Sequence, residues 1–153
     1  EVCIRDRCLA LHERVAREVA ADATSVPSVA LATVIALDQF PRNMFRGTPK
    51  AFASDEKAKL IADRAIAEAR DKAVDPEVHM FFYMPYMHSE ALSDQERCVA
   101  LMAQGGKQEN IKYAEIHRDA IARFGRFPHR NEILGRKSTP EEIAYLEGGG
   151  FKG

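Results

Sequence analysis

Helical periodicity along nearly the whole chain, repeated helix-start signals and the lack of convincing strand alternation predict an all-α protein. Short links between helices of similar length favour stacked antiparallel helical hairpins. The first helix is expected over Val2–Ala21, where Ile4, Cys8, Leu11, Val15 and Val19 recur at three- and four-residue steps. Residues 22–25 interrupt it with poor helix formers. The second is expected from Pro27 to Gln39, capped by Ser25, with proline in the first turn. Residues 29–37 are apolar nearly all round, which implies a buried helix. Residues 40–53, with Pro41, Gly47 and Pro49, are expected to be irregular.

A third helix is expected from Ser54, its N-cap, to Lys72. Ala58, Ile61, Ala62, Ala65, Ile66 and Ala69 form its inner face, and their small size allows a close neighbour. Asp75-Pro76-Glu77 opens a fourth, short and apolar, which Pro85 should kink or end near Met84. Ser93-Asp94-Gln95-Glu96 has the capping-box pattern for a fifth helix to Gln104, stopped by Gly105-Gly106. A sixth runs from Glu109 to Arg123 and ends at Gly125. Thr139-Pro140-Glu141-Glu142 joins a cap, a first-turn proline and an N3 glutamate for a last helix to Leu146.

The chain has 153 residues, one domain's worth. Its 46% apolar and 29% charged content is that of a globular protein. A net charge of −1 argues against nucleic acid or an anionic membrane as partner. No apolar run has the length of a membrane span. Cys3, Cys8 and Cys98 show no CxxC spacing, so neither a disulfide framework nor a zinc motif is indicated, and a reducing cytoplasm is the expected compartment.

Two turn segments gather cations. Leu37-Asp38-Gln39-Phe40-Pro41-Arg42-Asn43 leads to Arg46-Gly47, and Phe127-Pro128-His129-Arg130-Asn131 leads to Gly135-Arg136. Arg42, Asn43, Arg46, Arg126, His129, Arg130 and Asn131 are the expected anion-binding set, because arginine's planar fork bonds a carboxylate or phosphate bidentately. The architectural alternative has the same arginines bonding loop carbonyls or pairing with Asp38, Glu90 and Asp119.

His88, near Glu90, and His129 are the candidate acid/base residues. His117 has core spacing. His88, Glu90, His117 and His129 lack the i, i+4 pairing of a recognisable metal site, so neither metal nor cofactor is expected. Cys98 reads as a small core residue.

Longer motifs carry a resemblance. LDQFPRN with FRG, FFYMPYMHSE, DQER, KYAEIHRDAIARFGRFPHRNEILGR and the closing STPEEIAYLEGGGF resemble the bacterial domain of unknown function 924 family over nearly the whole chain. The resemblance implies a tetratricopeptide-repeat-like helical superhelix and an aromatic-rich segment before Glu1. It implies no particular chemistry. Two functions follow as expectations. One is a helical module that binds an anionic small molecule or acidic peptide. The other is a hydrolase- or lyase-type enzyme with histidine as acid/base and arginine holding an anionic substrate.

Overall fold

The computed structural model describes residues 4–18, 25–105 and 107–153, with side chains of the first stretch from residue 6. The expectations placed on Val2, Cys3, residues 19–24 and Gly106 lie outside the described residues. The described residues are helical with no strand, so the chain is all-α. It divides into two compact units, Glu1–Pro85 and Tyr86–Gly153.

In the first unit, α1 (Ile4–Glu18) packs on α2 (Pro27–Met44), and α2 packs on α3 (Asp55–Ala67). Ala30, Val34 and Leu37 of α2 and Ala58, Ile61, Ala62 and Ala65 of α3 are all buried. The alanines let two backbones approach closely, and the larger residues fill what remains. Residues 29–37 are not buried all round, since Val29 stays 47% exposed.

Helix α2 passes straight through Pro41, where the sequence predicts its end. Proline has no N–H, so the Leu37 carbonyl one turn back loses its helical donor. The buried Ser54 hydroxyl replaces it, donating to Leu37 O at 2.6 Å. Ser54 still stands at the N-cap position of α3, but its side chain makes no cap bond there. The irregular segment is therefore shorter than expected and holds a 3-10 turn over Pro49–Phe52. Ser25 does not cap α2 either; Val26 occupies that position in extended conformation.

Helix α3 ends at Ala67, short of the expected Lys72. Ala69 takes a left-handed conformation, φ 54°, and a 3-10 turn over Arg70–Ala73 follows. The Asp75-Pro76-Glu77 signal produces an Asx turn, the Glu77 N–H donating to Asp75 Oδ1 at 2.9 Å, instead of opening the expected short helix. A 3-10 turn over His79–Phe82 follows. Pro85 ends nothing. It sits in the first turn of α4 (Met84–Met87), where its missing N–H costs no bond.

In the second unit, α5 (Leu92–Ala103) packs on α6 (Gln108–Phe124). The capping box expected at Ser93 is absent. Ala91 is the N-cap, and Ser89 bonds Asp94 Oδ2 at 2.6 Å instead. Gln95, fully buried, donates through Nε2 to the carbonyls of Met87 (2.7 Å) and Ser89 (2.6 Å). It bolts the end of α4 to α5. Cys98 is fully buried, and burial pushes its thiol up to about 12, so it is a core residue and not a nucleophile. Helix α6 ends at Gly125 in left-handed conformation, φ 67°. Helix α7 (Pro140–Glu147) opens with the full capping box that Thr139 and Glu142 predict.

Candidate functional site

The sequence-predicted residues divide between the units. Arg42, Asn43 and Arg46 belong to the first. One turn of α2 places Arg42 beside Asp38, and the turn before α3 brings Asp55 to it. Arg42 Nη1 and Nη2 donate to the two Asp55 oxygens, each at 2.9 Å, and Nη1 reaches Asp38 Oδ1 at 3.3 Å. Nη1 also donates to the Asp38 carbonyl at 2.8 Å. This fork is committed to its own helix ends. Asn43 donates to the Gln39 carbonyl at 3.0 Å, and Arg46 is exposed. Here the architectural alternative accounts for the geometry.

The second unit holds Arg126, His129, Arg130 and Asn131. Arg126 Nε and Nη2 donate to Glu142 at 2.6 and 2.8 Å, and Nη2 also holds the Lys137 carbonyl. Asn131, fully buried, donates to the same carboxylate at 3.1 Å and to Ser138 Oγ at 3.1 Å. Glu142 also accepts the Thr139 N–H at 2.7 Å. Arg126 and these further donors hold its carboxyl down at about 2. The N3 glutamate of α7 thus gathers the loop after α6.

Glu90 does the same work nearby. It accepts the Phe127 N–H at 2.8 Å and the Arg136 fork at 2.7 and 2.9 Å. Burial pushes its pKa up, but the bonds from Arg136 and Phe127 outweigh that, and the net shift is down. Its oxygens are spent on structure, so it is not the free carboxylate that a His88–Glu90 acid/base pair requires.

Between these anchors lies an aromatic and imidazole cluster. Phe127 is fully buried, and the Arg130 guanidinium, 7% exposed as a residue, stands over its ring at 4.6 Å. His117 on α6 meets Phe127 at 5.7 Å between centroids, and His129 meets it at 5.5 Å. His117 Nδ1 lies 2.7 Å from the Tyr113 carbonyl. A carbonyl only accepts, so Nδ1 carries the proton and Nε2 keeps the lone pair of the neutral ring. Burial lowers the pKa of His117 to about 4, with the charges of His88 and Arg130 adding to it. Burial likewise lowers His129 to about 4, with Arg130 next in effect. His129 Nδ1 is buried with no hydrogen-bond partner among the described residues. Phe151 closes the cluster, its ring 4.1 Å from that of His117 and 5.0 Å from that of His129.

Of the predicted set, then, His129 and Arg130 converge on the Phe127 ring, and Arg126 and Asn131 meet on Glu142. His117, read as a core histidine, is buried and yet part of the cluster. Phe127, Arg136, Glu142 and Phe151 were not anticipated as site residues. Their sequence signals were a turn residue, a turn cation, a helix cap and a closing motif, none of which shows what it faces. No set of three or more His, Cys, Asp or Glu side chains suited to a metal ion occurs among the described residues. No helix among them is long and apolar enough to cross a membrane.

The chain is similar to a solved structure of a protein of unknown function from Agrobacterium tumefaciens. The identity is 42%, over 94% of this chain and 79% of that one, with a TM-score of 0.83. No curated protein matches it. Residues 1–150 match the family described as bacterial protein of unknown function (DUF924), and with motifs and fold in agreement the chain belongs to that family.

Proposed function

We propose that the second unit is a binding module for a small anion, held by Arg130 with His117 and His129 beside it. The observation that carries this reading is His129 Nδ1, a buried ring nitrogen with no hydrogen-bond partner among the described residues, adjacent in sequence to a buried guanidinium. Leaving a buried polar atom unsatisfied costs about 1–3 kcal/mol. A carboxylate or phosphate oxygen offsets that cost, since it accepts from the ring N–H and from the guanidinium together. The buried position suits a small molecule better than an acidic peptide.

Binding is favoured over catalysis. A general base works best with a pKa near the operating pH. Histidines lowered to about 4 are weak bases at neutral pH; the one N–H of His117 is already given to the Tyr113 carbonyl, and neutral His129 keeps one to donate. Neither Cys8 nor Cys98 is in a disulfide, which suits a reducing cytoplasm. The near-neutral charge supports no role for nucleic acid.

Thermal shift with phosphate and small carboxylates tests the reading. A ligand at a hundred times its Kd stabilises the folded protein by about 2.7 kcal/mol. The shift is expected in wild type and in Arg42→Ala, and lost in Arg130→Lys and His129→Gln. Absence of any shift in wild type across the panel, or its survival in both site variants, would overturn the reading.

A further inference from the structure

Resting on that reading, we infer that the ligand is an aromatic acid and that Phe151 is an internal occupant of its ring subsite. The box that Phe151 fills is built for a flat ring. Its ring lies tilted over His117 at 4.1 Å, edge-on to His129 at 5.0 Å and 88°, and 6.0 Å from Phe127. Offset and edge contacts of this kind are how aromatic rings prefer to pack. Arg130 stands over the same Phe127 at 4.6 Å. A ring in the box and an anion at the guanidinium therefore both adjoin Phe127, and a benzoate- or phenylacetate-sized acid carries the two groups in one molecule.

The segment carrying Phe151 is attached as a strap. Gly148-Gly149-Gly150 follows α7, and Gly149 has φ +85°, where side chains are disfavoured. The strap is pinned by a hydrogen bond from the Phe151 N–H to Tyr145 Oη at 3.0 Å. At Gly153 an added Cβ would lie 3.0 Å from His129 Nε2, so the strap follows the imidazole closely. Phe151 is only partly buried, unlike Phe127, which is fully buried. A residue seated in an aromatic box yet partly open to solvent is one that a competing ring can displace.

The test measures affinity for benzoate, acetate and benzamide by calorimetry on wild type, Phe151→Ala and Gly150→Ala. The second variant leaves every cluster side chain unsubstituted. Its new Cβ would lie 2.6 Å from the Tyr145 ring, which dislodges the strap from outside. Benzoate should bind both variants at least tenfold tighter than wild type, and in the variants at least tenfold tighter than either acetate or benzamide. Benzoate no tighter than acetate in the variants would overturn the ring subsite while leaving the anion reading standing. Benzamide equal to benzoate would overturn the acid and, with it, the anion reading, while a ring pocket remained. Equal benzoate affinity in wild type and both variants would refute Phe151 as the competitor.

Discussion

Single atoms decide much of this structure. The Leu37 carbonyl is the clearest case, because Pro41 removes its donor and Ser54 supplies another. Ser54→Ala should cost about 1–3 kcal/mol, since a buried carbonyl is left unsatisfied. Pro41→Ala restores an N–H, so Pro41→Ala with Ser54→Ala should cost clearly less than Ser54→Ala alone. Urea denaturation of both variants checks this, and equal losses would refute the pairing. The histidines give a second residue-scale test. His117 and His129 fall to about 4 in the folded protein from the ordinary 6.5. The unfolded chain therefore binds more protons below pH 6.5, and their stability contribution, full above that value, is lost as pH falls towards 4. Glu142, at about 2, lies below this window. Urea midpoints should already decline between pH 6.5 and 5, and His117→Gln with His129→Gln should flatten that decline. The sequence made His129 and Arg130 visible as site candidates through their residue types. It did not show that Arg42, of the same type, is locked onto Asp55, because that pairing depends on where α3 begins.

At the scale of elements, periodicity was a good guide where helices are long and a poor one where the backbone tightens. Helix α6 matches expectation because its period and its Gly125 stop agree, and α7 because its cap, first-turn proline and N3 glutamate do. Residues 68–83 do not, because two 3-10 turns follow a left-handed residue there, and 3-10 turns carry no strong sequence period. Pro41 and Pro85 misled in opposite ways. One is tolerated inside a helix by a distant hydroxyl, and the other starts a helix. The left-handed residue, Ala69, is the only non-glycine with positive φ among the described residues. It stands where a glycine normally ends a helix, and an L side chain there costs about 1–2 kcal/mol. Part of that is balanced by glycine's larger entropy loss on folding. Ala69→Gly should therefore stabilise the protein by about 0.5–1 kcal/mol, seen as a higher urea midpoint with unchanged slope. A lower midpoint would mean that the Ala69 methyl group contributes more by packing than the conformation costs.

For the whole molecule, the balance of 22 Lys and Arg against 23 Asp and Glu restricts how an anion can be recognised. A protein that attracts anions through its overall field needs excess positive charge, and that attraction fades with salt. This chain lacks the excess. Several of its cations are paired close to home, as Arg42 is with Asp55, Arg126 with Glu142 and Arg136 with Glu90. Recognition must then be local, through donors out of contact with bulk water. At 0.1 M salt, charges more than about 10 Å apart in solvent are screened from each other, while buried groups are screened much less. The thermal shift produced by a saturating carboxylate should consequently differ little between 0.05 and 0.5 M sodium chloride. The protein should also fail to stay on a heparin column at the lower salt. A shift that vanishes at high salt, together with retention on heparin, would place the anion on exposed surface cations and remove Arg130 and His129 as its holders.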